Sequence, residues 1–384
     1  MAEIKQCPVY KRCNGCQLQN MSYEEQLKFK EIKVKRAVGN YGKVEKIIGM
    51  KNPVNYRNKV QAVFRKDKRG NIISGIYQSS TSGIVVMDKC MLESEKADKI
   101  ILTIRKLCKE CKVTIYSSKN NYGFLKLVLV REGKISGEYM VVLVASTFIF
   151  PQKNIFLKKL LEIHPEIKTV VLNVNENEKM MLGKKEKVLF GDGYITDRLC
   201  GKYFRISPKS FYQVNHTQTE ILYRKAVEFA EIKEGDIVLD AYCGIGTIGL
   251  IASDKAGKVI GVESNSSAVS DAKINARLNR AENIAFYCAD AGKVMEEISE
   301  NDEKIDVVFT DPPRAGCSRK FINSMLKLAP KKIVYVSCNP ETLGRDLYHL
   351  TNGGYEAKKI QPVDMFPFTS HVECCVLLCR EDII

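Results

Sequence analysis

A chain of 384 residues, 45% apolar and 27% charged, is too long for one ordinary core and predicts two or three folded domains. No apolar stretch approaches the roughly 20 residues that span a bilayer, and the opening Met1-Ala-Glu-Ile-Lys lacks the apolar core of a signal peptide, so the expectation is a cytoplasmic chain with no membrane partner. The net charge of +15 is one-sided: residues 1–200 carry 37 Lys and Arg against 20 Asp and Glu, whereas residues 201–384 carry 23 against 25. Such asymmetry is the footprint of a module for a polyanion joined to a neutral module, although the solvated faces of a lysine-rich protein give the same count. Fourteen cysteines in a reducing compartment exclude a disulfide framework, which leaves core fillers, metal ligands and nucleophiles.

In chain order, Cys7-Pro-Val-Tyr-Lys-Arg-Cys13-Asn-Gly-Cys16 has no periodicity and reads as a loop. Ser22, three residues before Glu25, makes a capping box that opens a helix to about Val38. Val60–Phe64 and Ile72–Tyr77, separated by a turn at Lys68-Arg-Gly-Asn71, predict a hairpin, and a helix around 93–110 and strands at 124–130 and 138–146 continue an α+β pattern. From about residue 206 the pattern becomes strand–helix alternation. Apolar runs at 236–240, 258–263, 284–288, 305–310 and 332–337 read as buried parallel strands, which defines a doubly wound α/β sheet. The organisation expected is a cysteine loop over 1–21, a central α+β domain over 22–205 and an α/β domain over 206–384. Ligands of doubly wound sheets bind beyond the carboxyl ends of the strands, which is where the chemistry is sought.

The first such strand runs into Tyr242-Cys-Gly244-Ile-Gly246-Thr247-Ile-Gly249, and the next ends in Glu263. A glycine turn followed by an acid for ribose hydroxyls suits a nicotinamide cofactor and S-adenosyl-L-methionine equally. Asp240, closing the first strand, can face the amino end of a sulfonium ligand. Asp311-Pro-Pro-Arg314, closing the fourth, is a rigid acidic turn typical of base-modifying methyltransferases. These two features favour the methyltransferase reading over a nicotinamide-dependent oxidoreductase. The fifth strand ends in Val336-Ser-Cys338-Asn-Pro340, which places a cysteine as a nucleophile is placed. Methylation at C5 of a pyrimidine requires such a group, because thiolate addition at C6 converts the ring to an enolate whose C5 attacks the methyl. A base must then remove the C5 proton, and Glu373 in His371-Val-Glu373 supplies a carboxylate.

Together, Phe211-Tyr-Gln213-Val-Asn215, Asp240-Ala-Tyr-Cys-Gly-Ile-Gly246, Asp311-Pro-Pro-Arg-Ala-Gly316, Ser337-Cys-Asn-Pro340 and His371-Val-Glu373 resemble the RNA uracil-C5 methyltransferases. The resemblance covers the whole second half, in order. It implies a class I S-adenosylmethionine-dependent methyltransferase domain with Cys338 as nucleophile and Glu373 as base. It also implies that Gln213, Tyr242, Thr247, Glu263, Asp290 and Asp311 line the S-adenosylmethionine site, with Thr247 standing where bacterial relatives carry Asn. Cys317, just after the Asp311 motif, is faintly like the second cysteine of RNA cytosine-C5 methyltransferases, but the uracil family varies there and Cys317 reads as a bystander.

Three close cysteines in a loop, with Cys90 at the end of an extended segment as a fourth, accept zinc or an iron–sulfur cluster on spacing alone. The resemblance points to a [4Fe-4S] cluster on Cys7, Cys13, Cys16 and Cys90, because the family's 23S rRNA branch carries one with this C-x5-C-x2-C spacing and a distant fourth cysteine. Cys108 and Cys111 lie on a helix and read as core. Many rRNA-modifying relatives begin with a small β-barrel, whereas this chain starts at the cysteines. Phosphate grip then falls to the central domain, with Arg57, Lys59, Arg65, Lys66, Lys68 and Arg69 as candidates. The expectation is a uridine-C5 methyltransferase acting on RNA, 23S rRNA before tRNA, with no obligate protein partner. A non-catalytic RNA-binding protein on the same fold is the third alternative.

Overall fold

A computed structural model describes residues 6–78, 83–176, 180–301 and 303–380, which form two compact units. The short helix α1 (Tyr10–Cys13) and the longer α2 (Tyr23–Val38) open the described chain. The first unit holds residues up to Asn20, Pro53–Arg198 and Arg205–Lys209; the second holds Met21–Asn52, Leu199–Phe204 and the chain from Ser210 onward.

In the first unit, β1 (Lys59–Lys66), β2 (Ile72–Tyr77) and β3 (Ile84–Val86) form a meander, and α3 (Glu95–Glu110) follows. The chain continues through β4 (Leu125–Glu132), β5 (Tyr139–Ala145), α4 (Lys153–Ile163), β6 (Ile167–Val174) and β7 (Lys185–Phe190). The seven strands make one sheet in the order β3-β2-β1-β4-β5-β6-β7, antiparallel throughout except where α4 crosses over between the parallel β5 and β6. The hairpin expected after residue 60 forms, with Val63 opposite Gly75 and Lys66 opposite Ile72. One core joins the apolar face of α3, including Ile100, Ile104 and Leu107, to Val60, Phe64, Val128 and Val141 of the sheet, and Cys108 and Cys111 are buried within it as fillers.

A two-stranded ribbon, β8 (Ile195–Leu199) and β9 (Lys202–Ile206), leads to α5 (His216–Ala230) and to strand–helix alternation. The alternating elements are β10 (Ile237–Ala241), α6 (Thr247–Ala252), β11 (Lys258–Glu263), α7 (Ser266–Leu278), β12 (Ile284–Cys288), α8 (Ala291–Glu300), β13 (Val307–Thr310), α9 (Arg319–Leu328), β14 (Lys332–Ser337) and α10 (Pro340–Asn352). A final hairpin, β15 (Tyr355–Val363) and β16 (Glu373–Arg380), completes a second seven-stranded sheet ordered β12-β11-β10-β13-β14-β16-β15. The first five strands are parallel, as their continuous apolar runs predict, and β16 is antiparallel to β14. Dinucleotide-binding folds continue this order with a sixth parallel strand; here an antiparallel strand is inserted before the edge. The edge strand β15, with Glu356, Lys358 and Lys359 along it, has no apolar run to announce it and is an addition to the sequence reading.

The sequence reading assigns α2 to the central domain, but it belongs to the second unit. Its capping box forms as expected, with the Glu25 amide donating to Ser22 Oγ and the Ser22 amide donating to Glu25 Oε2 at 2.7 Å. A capping box fixes where a helix starts and says nothing about which neighbour covers its apolar face. Val34 and Val38 enter the core of the second sheet together with Leu343, Leu347 and Ile360. Gly344 of α10 makes this approach possible, because a Cβ there would stand 2.5 Å from the Ala37 carbonyl oxygen. The chain after α2 runs beside the exposed edge of β15, with Val44 and Ile48 bridging Ile360 and Val363, and so blunts that edge.

Candidate active site

The carboxyl ends of β10, β11, β13, β14 and the start of β16 converge within the second unit. Asp240 is buried at the end of β10, where its Oδ2 accepts the Gly249 amide at 2.7 Å and anchors the first turn of α6. Between them Tyr242 adopts φ of 63° and Gly246 φ of 84°; a Cβ on Gly246 would stand 2.6 Å from the Phe286 ring, so glycine is required there. Glu263 accepts the Gly244 amide at 3.3 Å and the Asn265 amide at 2.8 Å, which ties the acid after β11 to the glycine turn. Burial, with repulsion from Asp311 and Glu263, pushes Asp240 up to about 7, and burial pushes Asp311 up to about 7 as well. Carboxylates that crowd one another in this way favour a cationic ligand, and both the sulfonium and the amino group of S-adenosylmethionine are cationic.

Cys338 sits half-buried immediately past β14. Its loop is held from both sides: the Asn339 amide donates to Ser337 Oγ at 3.2 Å, Asn339 Nδ2 donates to the Arg314 carbonyl at 3.2 Å, and Asn339 caps α10. Arg314 Nη2 reaches His371 Nδ1 at 2.6 Å, so the Asp311 turn, the cysteine loop and the segment before Glu373 are tied together. Glu373 is 3% exposed at the first position of β16, and burial followed by the Asp311 charge holds its carboxyl well above the usual range. Burial, then the charges of Glu373 and Asp311, push the Cys338 thiol up to about 11, while Arg314 pulls the other way. The thiol, the carboxyl and the guanidinium therefore lie close enough to act on one another's charge.

Of the other residues expected here, Gln213 and Thr247 meet through a third side chain that the sequence reading did not find. Tyr223 of α5 is fully buried, and its hydroxyl hydrogen-bonds to the side chains of both. Nothing in the sequence announces it, because it lies on the apolar face of a helix beside Leu222 and Ala226. Tyr242 is half-buried with its ring 5.0 Å from that of Phe321. Asp290 is exposed and caps α8 through the Lys293 amide at 3.0 Å. Phe211, two residues before Gln213, is 67% exposed and offers an open aromatic face. Cys317 is buried in the core, its amide donating to Asp346 Oδ2 at 2.7 Å and its sulfur 3.4 Å from the Tyr335 hydroxyl, and burial pushes its thiol up to about 12.

The four cysteines proposed as ligands lie in the first unit and share a neighbourhood. Cys16 is buried, and its thiol is pushed up to about 12 by burial and by Cys13 and Cys7; Cys90, also near 12, senses Cys16. Backbone amides donate to the sulfurs of Cys13 and Cys90, from Gly15 and from Leu92 and Glu93, which favours the thiolate form that a metal requires. Among the described residues no three His, Cys, Asp or Glu side chains stand in a closed metal-holding arrangement. The chemistry of the donor set and its hydrogen bonds nevertheless suit a soft metal. Arg57, expected to face phosphate, instead lies beside these cysteines with its Nε buried and unpartnered. Lys59 is half-buried, its ammonium pushed down to about 8 by burial and by Arg131. Alternation turns Asn58, Val60 and Ala62 inward and leaves Arg57 and Lys59 half-exposed on the other face.

The parallel sheet with its inserted antiparallel strand and the acidic pocket past the glycine turn define an S-adenosylmethionine-dependent methyltransferase of the class I α/β fold. The profile of the tRNA (uracil-5-)-methyltransferase family matches residues 22–381. An RNA methyltransferase of Halalkalibacterium halodurans is 43% identical over 378 residues, covering 97% of this chain and 82% of its own. One of Clostridium tetani is 44% identical over 377 residues, covering 97% and 82%. The crystal structure of the Pyrococcus abyssi tRNA (uracil-54, C5)-methyltransferase with S-adenosyl-L-homocysteine superposes with a TM-score of 0.82 at 30% identity, over 98% of this chain and 87% of that one. The chain belongs to the tRNA (uracil-5-)-methyltransferase family and is an RNA methyltransferase. No helix among the described residues is long and apolar enough to cross a membrane.

Proposed function

We propose that the enzyme methylates C5 of a uridine in RNA through a covalent adduct between Cys338 and C6 of the base. The observation that carries this reading is the grouping of Cys338 just past β14, the buried Glu373 at the start of β16 and Arg314, which act on one another's charge and are tied by the Arg314–His371 and Asn339–Arg314 bonds. S-adenosylmethionine supplies the methyl group, with Gln213, Tyr242, Thr247, Glu263, Asp290 and Asp311 as its contacts. Phe211 offers a face on which an unstacked base can lie. Cys338 adds to C6 as the thiolate, forming an S–C bond and placing the ring electrons on C5 and O4; Arg314 favours the ionised sulfur. After methyl transfer to C5, Glu373 takes the C5 proton, and the returning electrons expel Cys338. Its burial makes Glu373 a stronger base than a solvated carboxylate, as removal of a proton from carbon requires.

Cys7, Cys13, Cys16 and Cys90 would hold a [4Fe-4S] cluster that pins the N-terminal loop in the first unit, a structural role with no part in the transfer. Anaerobically purified protein is expected to be brown, with about four iron and four sulfide per chain; colourless protein with stoichiometric zinc contradicts the cluster. The four-cysteine pattern favours 23S rRNA over tRNA as the target. In a deletion strain, nucleoside mass spectrometry is expected to show loss of 5-methyluridine from 23S rRNA and its retention in tRNA, and the reverse distribution assigns tRNA. The expected compartment is the cytoplasm, where ribosomes and tRNA are found.

A further inference from the structure

A groove of about 540 Å³ lies in the first unit between the end of β1, the turn after it and the C-terminal half of α3. Lys66, Arg105, Lys106, Lys109 and Lys112 line it, with no carboxylate among the lining residues and an apolar floor that includes Leu102 and Val113. Arg105 is paired with Asp88 at 2.8 Å, and Lys106 stands 3.8 Å from Glu110. Lys66, Lys109 and Lys112 are exposed, and no ion pair involves them among the described residues. Arg105 and Lys109 fall at i and i+4 on one face of α3, and Lys112 follows just past the helix end.

Lysines at a helix C-terminus also complement its dipole, and that alone accounts for Lys109. It does not account for Lys66, which comes from a different element, or for Lys112, which holds φ of 56° beyond the helix end where glycine would sit without strain. Two elements thus aim unpaired cations into one open groove, which concentrates positive potential there.

We propose that this groove binds the phosphodiester backbone of the substrate RNA, with Lys66, Lys109 and Lys112 each meeting a phosphate. The proposal rests on the reading of RNA as substrate and locates where, in the basic half, the chain is gripped. Each phosphate contact with single-stranded RNA contributes about 0.7 to the slope of log K against log salt.

The test measures binding of a labelled 30-nucleotide uridine-containing RNA to the full chain at several salt concentrations. The variant Lys66→Gln/Lys109→Gln/Lys112→Gln is expected to lower the slope by about 2 and to weaken binding about a hundredfold at 0.1 M salt, with S-adenosylhomocysteine affinity and melting temperature unchanged. A control, Lys158→Gln/Lys168→Gln/Lys187→Gln, removes the same charge from exposed positions elsewhere in the unit and is expected to bind as wild type does. Unchanged binding by the groove variant, or an equal loss in the control, overturns the proposal. Wild-type protein that shows the groove dependence yet methylates no uridine sinks the proposed activity and leaves the groove standing.

Discussion

Glu373→Gln is expected to accumulate a covalent RNA–protein adduct that already carries the methyl group, seen as a band that survives denaturant. Thiolate addition and methyl transfer both precede proton removal, so loss of the base stalls the reaction after two bonds have formed. Removing a general base costs about 10²–10⁴ in rate, enough for the stalled species to dominate. The amide of Gln keeps the shape of the carboxyl but cannot take up the proton, so the variant removes the base with little disturbance of the buried site. Cys338→Ala is expected to form no adduct, and the double variant to behave like Cys338→Ala. Cys317→Ala should keep the adduct, because that thiol is committed to contacts with Tyr335 in the core. An adduct lost with Cys317 and kept without Cys338 reverses the assignment.

Lys30→Met is expected to destabilise the protein by about 3–5 kcal/mol, the usual cost of stranding one member of a buried ion pair. Lys30 and Asp364 are both fully buried, 2.5 Å apart, and Lys30 also donates to the Phe366 carbonyl at 2.9 Å. Tyr23 adds a hydrogen bond to Asp364 at 2.9 Å, and Gln26 accepts the Phe368 amide at 2.8 Å. These bonds fasten α2 to the segment that leads to His371 and Glu373, so the same substitution should also loosen the base and lower kcat. Burial holds the Lys30 ammonium below its ordinary pKa even with Asp364 beside it. Chemical denaturation of Lys30→Met and of Lys30→Met/Asp364→Leu tests this account: the double variant should be the more stable of the two. Equal stability of wild type and Lys30→Met contradicts it.

How much was legible in the sequence follows from which interactions are local. Parallel strands buried on both faces must be apolar along their length, so β10, β11, β13 and β14 stand out as runs, and their carboxyl ends can be read off directly. Asp240, Glu263, Asp311 and Cys338 occupy those ends, and Glu373 begins the returning strand. The capping box of α2 is equally local. The long-range pairings were hidden. Tyr223 reaches Gln213 and Thr247 only after α5 has docked, Lys30 finds Asp364 across 334 residues, and β15 is an edge strand whose charged face carries no apolar run. Charge counts located the basic half but not the direction each side chain takes. Arg57 is half-buried beside Cys13 and Cys16 and Lys59 is half-buried, while Lys109 and Lys112, which composition did not distinguish, face an open groove.

The most direct measurement uses RNA carrying tritium at C5 of uridine, incubated with the enzyme and S-adenosylmethionine. The account predicts one tritium released to water for each methyl transferred, and no release with Cys338→Ala. Methyl incorporation without tritium release places the methyl on another atom and contradicts it.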